Sequence, residues 1–211
     1  MKSKFNNPGR SAWKPIPLLS ALLLAGGCAV KPKMLAPNFA PPARIAVLPM
    51  ANESNDLQGP EFVRQVFVRS MENRGYVIAP ISETDELLKA KLAITDGGQM
   101  GSTTPQKVCA VLGVDAAVYG ILLDFKFVNI GFYQNKFVEA NFKMIAKDGQ
   151  QLWEDQRKAA RKEVQLNLKD AGDALARGLT EKMAGNLFNS PLSEQVHQLV
   201  RMAVSTLPRA N

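Results

Sequence analysis

Residues 137–155 constrain the fold more than any other part of the sequence. Apolar and polar side chains alternate from residue 137 to 147, and the apolar set comprises Val138, Ala140, Phe142, Met144 and Ala146. This period of two is typical of a strand that buries one face. Asp148-Gly149 then predicts a two-residue hairpin turn, and residues 151–155 return as an antiparallel strand. The chain must therefore contain an antiparallel sheet.

The segment from residue 44 to 79 predicts a parallel part in the same sheet. Residues 44–49 form a near-continuous apolar run, which is typical of a strand buried on both faces. Gly59-Pro60-Glu61 begins a helix with proline at its first position, and Arg74-Gly75 ends it. Residues 76–79 form the next strand. A strand, a helix and a strand in this order predict a parallel pair with a right-handed crossover.

Two short helices and a long strand follow. Residues 82–85 have the pattern of a capping box and begin a helix. Residues 95–103 are expected to form a glycine-rich polar loop. Thr104-Pro105 caps a second helix, which Gly113 closes, and residues 116–128 form a long strand.

Two amphipathic helices, over residues 168–188 and 196–207, complete the chain. We expect both to cover the sheet, the last one with an apolar stripe of Val196, Leu199, Val200, Ala203, Val204 and Leu207. An apolar fraction of 46% is ample for one core in 211 residues. The sequence therefore predicts a single α/β domain of α+β character, with a mixed sheet that begins as βαβ and ends as an antiparallel meander.

The first 28 residues carry a targeting pattern. Four basic residues precede an apolar run over residues 16–24, which ends in Ala25-Gly26-Gly27-Cys28. This order is typical of a secretory signal peptide, and the run is too short to span a bilayer as a helix. The stretch resembles the bacterial lipobox, although Ala25 stands where that pattern prefers leucine. The resemblance implies that residues 1–27 are removed and that Cys28 carries diacylglycerol and, on its new amine, an acyl chain such as palmitate.

The residues after Cys28 bear on location and reach. Ala29, rather than aspartate, favours the outer membrane of a Gram-negative cell, with the domain on the periplasmic side. Residues 28–43 contain four prolines and are expected to form an extended tether of up to roughly 45 Å. The folded domain is then expected to cover residues 44–211.

The formal net charge of +7 does not indicate a nucleic-acid-binding protein. Four of the 26 basic residues stand among residues 1–27, which contain no acid. The other 22 face 19 acidic residues, so residues 28–211 carry only about +3. We therefore expect a membrane partner through the lipid anchor and no nucleic acid.

No catalytic, metal-binding or cofactor-binding set is expected, and the protein is predicted not to be an enzyme. The sole histidine, His197, lies on the last helix, and the sequence has no Gly-x-Ser-x-Gly motif. One histidine and two distant cysteines do not make a zinc site. Cys109 stands among apolar residues and is expected to pack as a small buried hydrophobe.

Four segments have alternative interpretations. Residues 52–56 are rich in oxygen ligands, so turn chemistry competes with a calcium site. Residues 97–101 are glycine-rich but lack the lysine of a phosphate-binding loop. The basic cluster of residues 157–162 is either a solvated strand end or a contact for lipid head groups or an acidic partner. Phe132-Tyr133 is either an interaction tip or edge packing.

An ordered set of short segments resembles a known family. The segments are residues 45–49, 52–54 with Asp56, 74–77, 112–116 and 149–153. Together they resemble the bacterial lipoprotein family typified by a neisserial genome-derived antigen, over roughly residues 44–190, although Asn55 replaces a proline of that family. The resemblance implies a domain similar to the N-terminal domain of TolB. It also implies envelope partners such as CsgG-like secretion lipoproteins or transporter components, and it brings no catalytic residues.

These observations predict an outer-membrane lipoprotein that acts as a non-enzymatic interaction module in secretion, transport or surface-structure assembly. The alternative is a periplasmic ligand-binding accessory of a transporter. Self-association into a homo-oligomer is compatible with either function. We expect partners to use the loop and hairpin ends, since the last helix is needed to cover the sheet.

Overall fold

The computed structural model describes residues 31–130, 132–164 and 190–210, which form a six-stranded mixed sheet with helices on both faces. The strands are β1 (Met34–Leu35), β2 (Ile45–Val47), β3 (Ala51–Asn52), β4 (Ala116–Asn129), β5 (Tyr133–Ala146) and β6 (Gln151–Val164). The helices are α1 (Gly59–Glu72), α2 (Ile81–Leu92), α3 (Pro105–Leu112) and α4 (Ser193–Ser205), with a 3₁₀ helix at Gly97–Ser102. The strand order is β1-β6-β5-β4-β2, and β3 also pairs with β4. The predicted single α+β domain is confirmed.

The parallel part of the sheet is smaller than the sequence predicts. Strands β2 and β3 both lie parallel to β4. The predicted strand over residues 76–79 is reduced to a single parallel bridge between Ile78 and Ile45. Proline has no N–H to donate, and Pro80 already begins the turn into α2, so the pairing ends there.

Strands β4, β5 and β6 form the predicted antiparallel meander, which is longer than expected at one end, where β5 begins at Tyr133 and β6 continues to Val164. The turn between β5 and β6 has three residues rather than two. Ala146 N donates to Gln150 O at 2.9 Å, and Gly149 N donates to Ala146 O at 2.8 Å. Only Gly149 has a positive φ there, of +93°, whereas the predicted two-residue turn needs two such residues.

Each face of the sheet has its own core. Helices α1 and α4 cover one face, where Trp153 is fully buried and Phe67 stacks on Phe142 with ring centroids 4.4 Å apart. Helices α2 and α3 cover the other face around Leu48, Ala117 and the buried Cys109. The apolar residues of β5 are buried as predicted except Ala146, which is partly buried, and the whole predicted apolar stripe from Val196 to Leu207 is buried. The last helix therefore packs on the sheet of its own chain.

Helix capping agrees with the sequence in one place and differs in another. Thr104 Oγ1 accepts from Lys107 N and caps α3, and Gly113 closes that helix with a φ of +62°. The predicted capping box at residues 82–85 was wrong, because α2 begins after Pro80 with no side-chain cap. A capping box is found instead at Asp96 and Gln99, where it turns the predicted loop into the 3₁₀ helix.

Residues 31–36 lie on the sheet and do not form the predicted tether. Met34 and Leu35 pair antiparallel with Glu154 and Trp153, and Ala36 N donates to Leu152 O at 2.9 Å. The tether prediction was wrong because residues 33–36 contain none of the four prolines. Their N–H and C=O groups can therefore form hydrogen bonds with the open edge of β6. Cys28 and the helix predicted over residues 168–188 lie outside the described residues. No helix in the described ranges is long and apolar enough to cross a membrane.

Candidate functional site

A groove lies on the face of the sheet that carries α2 and α3. It has a volume of about 320 Å³ and lies between the 3₁₀ helix, the first turn of α3 and strands β4 and β5. Its lining residues are Met100, Gly101, Thr103, Pro105, Tyr119, Ile121, Asn141, Lys143 and Ile145. Small-molecule sites begin at about this size and combine an apolar lining with a few polar groups. The groove has both properties.

Three side-chain oxygens of these lining residues are buried without a hydrogen-bond partner among the described residues. They are Thr103 Oγ1, Tyr119 Oη and Asn141 Oδ1. Buried polar atoms are normally paired, and each one left unpaired costs about 1–3 kcal/mol. Three such atoms on one groove therefore indicate hydrogen-bonding capacity that the fold itself does not use.

The wall of the groove is held by local hydrogen bonds and close backbone contact. Asp96 Oδ1 accepts from Gly98 N at 2.7 Å, and Gln99 Oε1 accepts from Thr95 N at 2.8 Å. Gly97 lies against the backbone of Met50 and Ala51, where a Cβ atom would overlap main-chain atoms. The 3₁₀ helix is therefore fixed onto the end of β3, and the groove is preformed.

The charge at the groove is neutral to positive. Burial raises the pKa of Tyr119 to about 12, so its hydroxyl is protonated at neutral pH and can both donate and accept. Lys143 Nζ lies 3.9 Å from Glu154 Oε2 at the edge of the site. The hydrogen bond from Lys33 lowers the pKa of Glu154, against the opposing effect of burial. The groove therefore suits a neutral polar group, or a carboxylate that approaches Lys143.

Sequence reasoning missed Thr103, Tyr119 and Asn141. A signal was available for Tyr119, which is a polar position in the otherwise apolar residues 116–123, whereas Asn141 is one of the regularly alternating polar residues of β5. Asn141 pairs across the ladder with Ile121, two residues from Tyr119, so the register brings them to one face. The sequence does not specify that register, and so the cluster could not be recognised.

A second feature is the attachment of the N-terminal segment to β6. Lys33 Nζ lies 2.7 Å from Glu154 Oε1, and Arg157 Nη2 donates to Lys31 O at 2.7 Å. The same arginine is held by Asp155, whose pKa burial raises despite that ion pair. These contacts fix the chain three residues after Cys28.

The far end of the meander forms an exposed apolar tip, defined here as Val128, Ile130, Phe132 and Val164, which are 40%, 57%, 59% and 60% exposed. Phe132 was one of the two predicted tip residues, and it is exposed as expected. The other, Tyr133, is half-buried in the β5–β6 ladder.

Some residues of the basic cluster at 157–162 form ion pairs and others do not. Arg157 is paired with Asp155, and Arg161 is paired with Glu163 and Glu194. Lys158 and Lys162 are exposed and have no ion pair with any residue in the described ranges. Two positive charges therefore remain available near the tip.

The polar groups of the other candidate residues are used in hydrogen bonds within the fold or are buried. In residues 52–56, Asn52 Oδ1 accepts from Ser54 N, and Asp56 Oδ1 accepts from Gly59 N at 2.7 Å, so turn and helix-start chemistry uses these oxygens. The exposed His197 interacts with Ser193 O through Nδ1 at 2.8 Å. Burial raises the pKa of the Cys109 thiol to about 11, which makes it unreactive at neutral pH. The described residues contain no cluster of metal-binding side chains.

Comparison with known proteins decides the family. The model of the GNA1162-like lipoprotein family matches residues 37–208. The chain belongs to this family. The resemblance drawn from the sequence is thereby confirmed, and membership in a lipoprotein family implies a lipid-anchored location in the cell envelope. The likeness to the N-terminal domain of TolB stays a prediction.

Individual relatives agree in length and fold. The family member NMB1124/NMB1162, a lipoprotein of Neisseria meningitidis serogroup B, is 23% identical over 203 residues, covering 92% of this chain and 90% of its own. The crystal structure of lipoprotein GNA1162 from Neisseria meningitidis is 21% identical with a TM-score of 0.54, covering 69% of this chain and 100% of its own. The PelC dodecamer from Paraburkholderia phytofirmans is 13% identical with a TM-score of 0.47, covering 84% and 96%. At 21% identity the GNA1162 structure shows a shared fold alone.

Proposed function

We propose that this family member is an outer-membrane lipoprotein, anchored through Cys28, that acts as a non-enzymatic interaction module of the envelope. The observation that carries the proposal is the set of three unpartnered oxygens at the preformed groove, on a chain whose family is lipoproteins. Ala29 supports outer-membrane sorting and a periplasmic domain. Residues 1–27 act as the signal peptide, and Cys28 receives the lipid.

The groove is the proposed contact for a segment of another envelope protein, in secretion, transport or surface-structure assembly. Its partner would present a hydrogen-bonding group to Tyr119, Asn141 and Thr103 and an apolar group to Met100 or Ile121. The lining offers hydroxyls, an amide and an amine but no histidine or paired carboxylates. That set favours recognition over hydrolysis, which needs a base.

The second candidate function is a ligand-binding accessory of a transporter, and the volume of the groove favours it. A cavity of about 320 Å³ accommodates a small polar molecule, and Lys143 can bind a carboxylate on it. Both functions use the same residues. They differ in whether the bound species is a segment of a protein or a small molecule.

The test uses the native lipidated protein and two matched double variants. Tyr119→Phe with Asn141→Leu removes two groove oxygens, whereas Tyr133→Phe with Asn135→Leu makes the same changes on β5 outside the groove. Each protein is crosslinked in cells, purified, and its bound proteins and small molecules are measured by mass spectrometry. We expect the groove variant to lose its bound species and the control variant to keep them.

The outcomes separate the two functions. Loss of a specific envelope protein supports the interaction module, and loss of a small molecule from the extract supports the accessory function. Equal recovery from both variants would refute the groove as the binding site. Anchoring is tested separately with a palmitate analogue: label on the natural protein and none on Cys28→Ser is expected, and label retained on Cys28→Ser would refute the lipid attachment.

A further inference from the structure

We infer that the apolar tip and the free lysines of β6 contact the lipid surface that holds Cys28. The domain then lies with the far end of the β4–β5–β6 meander against the membrane, rather than at the end of a long tether. This inference rests on the lipid attachment at Cys28 in the proposed function. Its support comes from the direction of the chain, the position of the exposed apolar residues and the charge beside them.

The direction of the chain follows from β1. Strand β1 runs antiparallel to β6, so the chain before Met34 runs toward the Val164 end of β6. Lys31 is already held opposite Arg157. Three residues from Lys31 back to Cys28 span at most about 11 Å, even when fully extended. The lipidated residue therefore cannot be far from the second half of β6.

The apolar tip lies at that same end. Val164 pairs with Tyr133, Val128 pairs with Asn135, and Ile130 N donates to Tyr133 O at 3.0 Å. The exposed side chains of the tip are therefore neighbours across the ends of three strands. Clustered exposed apolar residues mark protein or membrane contact sites, and a nearby lipid anchor makes the membrane the occupant within reach.

The charge beside the tip complements an anionic lipid surface. Lys158 and Lys162 alternate with Ala160 and Val164 along β6, so all four project from one face of the sheet. Both lysines are exposed and have no ion pair within the described part of the chain. Lysines at a membrane surface are attracted to anionic head groups. The opposite end of the meander instead carries Asp148 and the Asp115–Lys147 pair.

This orientation also sets the height of the groove. Asn141 lies eight residues from Tyr133 along β5, which corresponds to roughly 27 Å at strand rise. Arg157, which holds Lys31, pairs with Ala140. Ala140 is adjacent to Asn141, so the N-terminal segment leaves β6 level with the groove. The lipidated cysteine can lie at most about 11 Å from that level, so the strands must tilt toward the membrane for both this cysteine and the tip to reach it. In this orientation the groove lies farther from the head groups than the tip, and the anchored segment lies between the groove and the tip.

The test uses the lipidated protein in vesicles of phosphatidylethanolamine and phosphatidylglycerol. Ile130→Cys carries a fluorophore whose emission depends on polarity, and Asp148→Cys at the opposite end is the matched control. Cys109 is buried and does not compete for the label. We expect a blue shift and loss of most of the fluorescence at position 130 when the lipids carry brominated acyl chains. Position 148 is expected to show neither change.

Two further experiments identify what contacts the tip. The pair of substitutions Lys158→Glu and Lys162→Glu should reduce the response at position 130, and vesicles of phosphatidylcholine alone should reduce it in the natural sequence. The label at position 130 could be protected from quenching by aqueous iodide even without vesicles, and its fluorescence could be unaffected by brominated lipid. That combination would mean that residues 165–189 cover the tip. Shielding that increases with protein concentration means that a second copy covers it. Either result overturns the inference.

Failure of the proposed function is distinguishable from failure of the orientation. Palmitate-analogue labelling of each preparation is scored before reconstitution. A labelled protein with no lipid response at position 130 overturns the orientation and leaves the lipoprotein proposal intact. A protein without label overturns both.

Discussion

The Arg157 guanidinium donates a hydrogen bond of 2.7 Å to the carbonyl oxygen of Lys31. This bond joins the middle of β6 to a residue only three positions from the proposed site of lipid attachment. Asp155 holds the guanidinium from the other side at 2.8 Å. The N-terminal segment from Lys31 onward is thus part of the domain, so the proposed lipid attachment at Cys28 would hold the domain within a few residues of the membrane.

The pH dependence of stability should report this attachment through Glu154. Its pKa is lowered in the folded protein, chiefly by Lys33. The carboxylate therefore stabilises the fold above the ordinary pKa of 4.5, and the contribution is lost as the pH falls through the lowered value. We expect Glu154→Gln to cost about 1 kcal/mol at pH 7, a modest value because Lys33 is exposed.

Thermal unfolding at a series of pH values checks this prediction. The difference between the natural protein and Glu154→Gln should narrow as the pH falls below 4.5. Glu72→Gln, at the exposed end of α1, is the control and should change stability by less than about 0.5 kcal/mol. A difference that does not depend on pH would contradict the assigned role of the Lys33–Glu154 pair.

The packing of α4 predicts a large loss on truncation of Leu199. Its side chain is fully buried between α4 and the sheet. We expect Leu199→Ala to lower the free energy of unfolding by about 2–5 kcal/mol, measured by urea denaturation. The exposed Arg201→Ala on the same helix should have little effect. An unchanged stability with lost partner binding would instead make α4 an interface.

The close approach of Gly97 to the β3 backbone predicts that this position tolerates no side chain. A Cβ atom there would overlap main-chain atoms of Met50 and Ala51, whereas one at Gly101 meets nothing within 4 Å. We expect Gly97→Ala to cost about 1–3 kcal/mol and to weaken groove binding, since the 3₁₀ helix must shift. Gly101→Ala is the control for stability alone, since Gly101 itself lines the groove. Equal melting temperatures for the two variants would contradict the packing.

The unpartnered groove oxygens predict that removing them does not weaken the fold. We expect Thr103→Val and Tyr119→Phe to leave the free energy of unfolding unchanged or to raise it by about 1 kcal/mol. Thr206→Val is the contrasting control, because Thr206 Oγ1 accepts from Trp153 Nε1 at 3.0 Å and donates to Ala203 O at 2.7 Å. That variant should lose about 1–3 kcal/mol. Destabilisation by the groove variants would show that their hydroxyls are bonded in the folded protein.

Sorting between membranes should respond to the residue after the lipidated cysteine. We expect Ala29→Asp to shift the protein toward the inner membrane, in a host that reads this position. Sucrose-gradient fractionation measures the distribution, and Ala29→Ser is the control. If Ala29→Asp leaves the distribution unchanged, residue 29 does not decide the location.

The sequence patterns that predicted the fold correctly are those whose structure is decided by residues adjacent in the sequence. The alternation along β5, the proline at the start of α1 and the Thr104 and Gly113 caps of α3 each act within a few residues. The tether prediction failed because a distant partner overrode a local pattern. Residues 33–36 joined the edge of β6, more than 100 residues away. The capping box of α2 failed for a local reason, because Pro80, two residues before Ser82, is the N-cap residue of the helix.

The sequence by itself determined an α+β domain with an antiparallel meander and membership in a lipoprotein family, and it predicts a basic leader over residues 1–27. These follow from composition, periodicity and ordered motifs, which need no knowledge of contacts. Only the tertiary structure decided where the chain can act. Tyr119 and Asn141 meet because β4 and β5 pair in one register, and Thr103 joins them from the link between the 3₁₀ helix and α3. The chain before Met34 runs toward the tip because β1 runs antiparallel to β6. Register and strand direction are properties of the assembled sheet, since they depend on which hydrogen bonds all six strands satisfy together.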